Sequence, residues 1–361
     1  MRLFQNSGLY PAYIPRLERL TRGLNTFAAR KDAFLADRFG ACHFLQPVLS
    51  AEPEVFFTNA DDAGLQRKWA EEQGLPASAD MSSILLAQIE HHRSEVFYNL
   101  DPMRYSSNFV RRLPATVRRT IAWRAAPSPG ADFSAYDLVV CNFPSILRSY
   151  EERGWRAAYL APAHDPVMDR YAANIERPVD VLFVGGYSRH HRRRAEILEA
   201  VASRCGRLKV KFHLDRSRMT RWAESPLGLC LPLGAHRRPH PIREVSADPV
   251  FGLELYAAIS QAKIVLNGAV DMAGEDRGNM RCFEAMGCGS LLISDEGRYP
   301  QGMENDRTLL TYCDTTDAIA RIVTAHAGRS ALQSIAAAGH EMVRTRYSKA
   351  AQWRDFTNLC N

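Results

Sequence analysis

The chain is poor in lysine, which supplies six of its 46 basic residues; arginine supplies the rest. No CxxC pair occurs and no His/Cys cluster has zinc spacing, which argues against zinc ribbons and dithiol redox centres. No apolar run approaches the ~20 residues that cross a bilayer. The opening MRLFQNSGLYPAY lacks a long apolar stretch, so no secretion signal is expected. The eight cysteines are then expected to be small reduced thiols of a cytoplasmic protein. There is no DxD, because Asp61 and Asp62 are adjacent and stand where a helix should start. Internal repeats and low-complexity tracts are absent too.

What is present fits two ordinary globular domains. The length of 361 residues suits two, and 46% hydrophobic with 24% charged residues is a usual balance. The formal charge of +6 is carried by arginine, whose planar fork grips phosphate and carboxylate in a bidentate way. It also leaves room for peripheral contact with the inner membrane.

The first half alternates strands with helices. MRLFQN, ACHFLQPV, EVFFTN, SEVFYNLD, RRTIAWR, DLVVCNF and AAYLAPA read as strands. Residues 12–39 read as helical up to Gly40, and DDAGLQRKWAEEQG and MSSILLAQIEHH as helices. The pattern lapses between Ala163 and Asp180, then restarts at DVLFVGG. Strands LKVKFHL, KIVLNG, SLLIS and TLLTY follow, with helices at EILEAVASRCG, LELYAAISQA, 315–327, 330–346 and about 348–360. Residues 214–248 are irregular and are expected to bear on donor choice. Such alternation predicts an α/β protein of parallel sheets with helices on both faces. The expected division is a Rossmann-like domain over 1–165 and another over 166–345. Residues 346–361 should form a helix packing back on the first. Ligands of such sheets bind beyond the carboxyl ends of the strands, so two domains facing a central cleft can each hold one substrate.

Two segments carry chemistry. In DVLFVGGYSRHHRRRAEIL the strand should end at Val184, Gly185 and Gly186 should turn tightly, and a helix should start near Ser188. Arg189, His190, His191 and Arg193 then crowd its first turn. Cations there oppose the helix dipole unless an anion is bound, which points to phosphate. A solvated basic face is the plain alternative. Nucleic acid is not expected as a partner, because no aromatics interleave the charges.

The second segment is DRGNMRCFEAMGCGSLLISDE, from Asp276 to Glu296. Asn279 should cap a helix over Met280–Met286. Its N–H groups and Arg281 could hold a diphosphate. Cys282, Phe283 and Met286 should face the core. Glu284, one turn in, could accept both hydroxyls of a ribose, and Asp276 could contact a sugar. Gly287 and Gly289 should end the helix and let it pack onto SLLIS. The bland alternative is an αβ unit with Glu284 exposed.

Asp276-x7-Glu284 followed by Ala-Met-Gly-Cys-Gly resembles the E-x7-E motif of GT-B glycosyltransferases, with Asp in the first position. The stretch from Tyr256 to Glu296 is similar to the CgeB-like group of bacterial group 1 glycosyltransferases. That group carries a strand ending in Leu-Asn (here Leu266-Asn267), then Asn-Met-Arg and Phe/Tyr-Glu. FVGGYSRHHRRR, NSGLYPAYI, LQRKWAEEQGL and AAGHEMVRTRYSKAAQW look alike too, although the tail lacks the usual His before Thr-Tyr. The resemblance implies a GT-B fold and a nucleoside-diphosphate sugar as donor, with no other cofactor and no metal. It implies Glu284 on the ribose, Asp276 on the donor sugar, and Asn279, Met280 and Arg281 on the diphosphate. Gly185, Gly186 and Arg189 would line the opposite wall, with Asn267 also in the donor site. Asp at 276 is one methylene shorter than Glu, which alters its reach.

For an acceptor the residues at strand ends are Ser7, Gly8, Asn99, Asp101, Asn142, His164 and Asp165. Asp101 is the base if the enzyme inverts; capping the turn before Pro102 is its structural alternative. In a retaining enzyme, which the motif favours, the leaving diphosphate takes the proton. His43, His91 and His92 are expected to be structural or on the surface. The expected activity is glycosyl transfer to a hydroxyl of a glycan, lipid-linked glycan or protein. A nucleotide-sugar epimerase and a non-catalytic nucleotide-binding protein are the alternatives.

Overall fold

The computed structural model describes residues 1–188, 191–268 and 273–361. The chain divides into two compact units, Met1–Ala163 with Tyr347–Asn361, and His164–Arg346.

The first unit is built on six parallel strands: β1 (Leu3–Ser7), β2 (Val55–Asn59), β3 (Val96–Asn99), β4 (Arg119–Trp123), β5 (Leu138–Cys141) and β6 (Ala157–Tyr159). They lie in the order β2-β1-β3-β4-β5-β6. The strands are short apolar runs because both faces are covered, as parallel sheets require. Phe4 stacks on Phe56 on one face. On the other, Leu3, Val96, Tyr98 and Ile121 pack with Phe356 of the final helix, Lys349–Cys360. Lys349 anchors that helix by donating to the carbonyls of Ala41 and Phe44 at 2.6 and 2.7 Å.

The second unit has β7 (Val179–Gly186), β8 (Val210–Asp215), β9 (Ser246–Ala247), β10 (Ala262–Leu266), β11 (Leu291–Asp295) and β12 (Leu310–Tyr312). All pairings are parallel, in the order β12-β11-β10-β7-β8-β9. Val181, Phe183, Ile264, Leu266, Leu291 and Ile293 share one core with the helices Arg192–Arg204 and Thr315–Ala327. The intervening Leu182, Val265 and Leu292 are equally buried, so this sheet too is covered on both faces. The α/β architecture expected from the alternation is present.

Three local expectations fail. ACHFLQPV is not a strand: it forms a 3-10 turn at Ala41–His43 and a short helix at Gln46–Leu49. Gly40 enters this turn at φ 76°, and Pro47 sits in the first turn of the helix. The run is apolar because Cys42, Phe44 and Leu45 are fully buried, not because it joins the sheet. Residues 12–39 break into Ile14–Leu20 and Phe27–Ala36. Gly185 and Gly186 extend β7 instead of turning, since they pair with Leu214 and Asp215 of β8. The next helix starts only at Arg192.

Phe356 is wholly buried against Tyr98, with ring centroids 4.9 Å apart. Phe356→Ala should therefore cost about 3–5 kcal/mol, measured as a shift of the urea unfolding transition of the first unit.

Candidate functional site

In doubly wound sheets the ligand crevice forms where the strand order reverses, beyond the carboxyl ends. The second unit reverses between β7 and β10, and the segments read as donor-binding flank that point. Gly185 and Gly186 end β7; Asn267 and Gly268 follow β10. The helix Arg192–Arg204 begins with three arginines, no acid in its first turn and no side-chain cap. Arg194 donates to the Gly268 carbonyl at 2.7 Å and Arg193 to that of Cys313 at 2.7 Å. Arg189 and His190 lie outside the described residues.

The helix Met280–Gly287 starts at the same edge. Asn279 occupies the N-cap position with extended backbone, yet its side chain does not cap the helix. Its amide instead donates to Asn267 Oδ1 at 3.3 Å, and Asn267 Nδ2 donates to Ser294 Oγ at 3.0 Å. The helix N-terminus is thus left without a side-chain cap, with Met280 and Arg281 in its first turn. Cys282, Phe283 and Met286 face the core.

Glu284 is 2% exposed, so it is not a surface acid. Arg281 bonds it at 2.6 Å from one turn earlier. Burial pushes the Glu284 carboxyl above its usual range, and the Arg281 charge pulls it back. The i,i+3 spacing of these two residues was the available signal for this pair. Asp276 is also buried, at 1%, and accepts from Arg298 Nε at 3.0 Å. Beside it Arg277 pairs with Asp295 at 2.6 Å. Gly287 packs against Met168 and His164, and Gly289 against Ala172 and Arg177. The close approach these glycines permit is therefore to residues 164–177.

The first unit reverses between β1 and β3, and a cavity of about 670 Å³ opens beyond their ends. Ser7, Gly8, Asp61, Asp101, Arg104, His43 and Trp123 are among its walls. Gly8 lies close to Asp101: a Cβ there would stand 3.2 Å from Asp101 Cβ and 3.4 Å from its Oδ2, so any side chain would press on that carboxylate. Arg104 sits between two acids, in contact with Asp61 and 3.7 Å from Asp101. Burial raises the Asp101 carboxyl, Arg104 lowers it, and Asp61 raises it again. The His43 ring packs on Trp123 at 4.3 Å; burial drives its pKa down to about 3, so the ring is neutral.

Sequence reasoning missed Asp61, Arg104, His43 and Trp123 as wall residues. The first two each follow a strand end by a few positions, which was the available signal. Asn142 is buried and is not among the cavity walls. His164 and Asp165 are committed elsewhere, within the second unit. His164 Nε2 meets Asp169 at 2.9 Å, and Asp165 accepts from the Val167 N–H at 3.2 Å.

Residues 189–358 match a family model described as glycosyl transferase-like. Among solved structures, HepE of Anabaena in complex with UDP and glucose is 12% identical, with a TM-score of 0.58 over 100% of this chain and 99% of that one. A glycosyltransferase of Rickettsia africae is 9% identical, with a TM-score of 0.57 over 99% and 97%. Sucrose-phosphate synthase of Thermosynechococcus elongatus is 12% identical, with a TM-score of 0.51 over 99% and 98%. No curated protein sequence matches the chain. The fold is that of GT-B glycosyltransferases, with two parallel six-stranded α/β units.

A carboxyl whose pKa is raised on folding contributes stability while protonated and loses it as pH rises through the folded value. Arg281 limits that loss for Glu284. Arg281→Ala should therefore destabilise by about 3–5 kcal/mol near neutral pH, with the deficit shrinking in acid. Urea unfolding across a pH series checks this; a pH-independent deficit would contradict it.

Proposed function

We propose that the protein transfers a glycosyl group from a nucleoside-diphosphate sugar to an acceptor hydroxyl. The observation that carries this reading is Glu284, a buried acid held by Arg281 beside an uncapped helix N-terminus at the reversal of the second sheet. That arrangement suits a ribose on the carboxylate and a diphosphate on the N–H groups of Met280 and Arg281. Asn267 and Asn279 hold the helix start in place. Gly185 and Gly186 form the facing wall, and Asp276 reaches the donor sugar. HepE, whose structure holds UDP and glucose, makes a uridine nucleotide the first donor to test. The Asn279-Met280-Arg281 run and the acid spacing favour the CgeB-like group. A cytoplasmic enzyme of cell-envelope glycan synthesis is the setting that suits such a donor.

As the sugar–phosphate bond breaks, charge develops on the diphosphate oxygens. Arg281 and the helix N-terminus oppose that charge where it forms, a metal-independent arrangement that predicts full activity in the presence of a chelator. The acceptor belongs to the cavity of the first unit, where Asp61 and Asp101 accept its hydroxyls and Trp123 offers an apolar face. Glycans, glycolipids and glycosylated proteins all present such hydroxyls. With retention, which the motif favours, the leaving diphosphate takes the acceptor proton and Asp101 orients the hydroxyl. With inversion Asp101 takes the proton, a task that suits a carboxyl of raised pKa.

A thermal-shift panel of UDP, GDP, ADP, CMP and dTDP with their sugars tests the donor site. A ligand at 100 times its dissociation constant adds about 2.7 kcal/mol of stability. One nucleotide should raise the melting temperature, and Glu284→Ala should abolish the shift. Asp101→Asn should keep the shift; a loss of transfer of about 10²-fold or more is that of a lost general base and reports inversion, and a smaller loss reports retention. No shift with any nucleotide would defeat the donor assignment. Interconversion of the sugar nucleotide without acceptor would favour an epimerase.

A further inference from the structure

Five of the thirteen large apolar side chains exposed among the described residues fall between 219 and 231. They are Met219 (43%), Trp222 (49%), Leu227 (80%), Leu229 (45%) and Leu231 (42%). The segment follows β8, so it leaves the sheet at the same carboxyl edge as Gly186 and Asn267. It belongs to the connection from Asp215 to Ser246, which is broken into short helices at Arg218–Ala223, Pro226–Leu229, Gly234–His236 and His240–Glu244.

The exposure is built into the local structure. Met219 and Trp222 stand three apart on the helix Arg218–Ala223, which puts them on one face. Ser217 caps that helix through the Thr220 N–H at 3.0 Å. Gly228 lies against the backbone of Trp222 and Ala223, where a Cβ would collide. Arg237 donates to the carbonyls of Ala223, Gly228 and Leu231. One guanidinium thereby draws together the backbones that carry the apolar side chains. Arg238 and Glu224 form a buried pair at 2.6 Å that closes the base of the segment. Polar groups are thus used up inward, and leucine and tryptophan are turned outward.

The charge along 217–238 is predominantly basic, while Arg216 at its start pairs with the exposed Asp248. Arg218 and Arg221 are exposed and have no ion-pair partner among the described residues, and His236 is exposed beside them. The one acid between 216 and 240, Glu224, is consumed by Arg238. Exposed arginines on the helix that bears Trp222, followed by exposed leucines, form a composition that settles at the headgroup level of a bilayer. There the apolar groups enter the acyl boundary and the cations meet anionic lipid. We propose that residues 216–238 form a docking surface for an anionic lipid membrane. The proposal does not depend on the glycosyl-transfer reading; where both hold, the donor edge of the second unit faces the bilayer, and the acceptor is one presented there.

Co-sedimentation of the full chain with vesicles of phosphatidylcholine, with and without phosphatidylglycerol, tests it. Binding should require the anionic lipid. Trp222→Ser and Leu227→Ser should each weaken it about tenfold, and Arg218→Gln and Arg221→Gln about fivefold each. All four positions are exposed, so the melting temperatures should not move. Trp222→Phe should also remove the blue shift of tryptophan emission that vesicles produce. Absence of binding would overturn the proposal. So would binding that salt abolishes but the two serine variants leave intact, which is plain adsorption of a basic protein. Conversion of a dimer to a monomer by the serine variants, with vesicle binding unchanged, would also overturn it by assigning the face to a second copy.

Discussion

Each parallel sheet stops at its carboxyl edge, and the backbone groups exposed there must find partners. An unsatisfied buried group costs about 1–3 kcal/mol. In this protein asparagine answers that demand. Asn6 Nδ2 donates to Asn99 Oδ1 at 2.9 Å, and Asn6 Oδ1 accepts from the Ala60 N–H at 3.0 Å. Asn59 donates to the Gly8 carbonyl at 3.2 Å, and Asn99 accepts from the Asp101 N–H at 3.0 Å. The loops that carry Asp61 and Asp101 are therefore tied to one another through three buried amides at the ends of β1, β2 and β3. In the second unit Asn267 has the same position after β10 and ties the start of the Met280–Gly287 helix to Ser294. Both proposed ligand sites rest on this device, because it fixes backbone where the chain would otherwise be free.

The two edges differ in what they then present. The first offers two carboxyls, one arginine between them and an aromatic wall, a set that accepts hydrogen bonds from hydroxyls. The second offers glycine backbone, arginines and an uncapped helix start, a set that donates to an anion. Glu284 is the exception in the second unit, and its pairing with Arg281 is what allows a carboxylate to stay buried there. Breaking such a pair is costly, whereas the pair itself adds little to stability. Its persistence is therefore easier to understand as the maintenance of a binding geometry than as reinforcement of the fold.

Much of this was legible in the sequence. Short apolar runs separated by helical periods gave a parallel α/β protein, and the Asn279–Glu284 run lies on a helix at a carboxyl edge as read. The failures have physical causes. Residues 41–48 look like a strand because Cys42, Phe44 and Leu45 are core residues, and burial alone does not distinguish a strand from a turn lying on a sheet. Gly185 and Gly186 look like a turn, but pairing with Leu214 and Asp215, some thirty positions away, keeps them extended. Asn279 looks like a cap, but its Oδ1 accepts from the Cys282 thiol while its Nδ2 donates to Asn267. The first-unit cavity was only half legible: Asp101 was read from its strand end, while His43 and Trp123 reach it from elements distant in sequence.

Hydrogen exchange with and without a saturating nucleoside diphosphate tests the central claim most directly, because it locates the ligand on the chain without assuming turnover. The account predicts added protection at Gly185–Gly186, at Asn267–Gly268 and at Asn279–Glu284, and none at the cavity around Gly8 and Asp101. Protection confined to that first-unit cavity, or absent throughout with a nucleotide shown to bind, would contradict it.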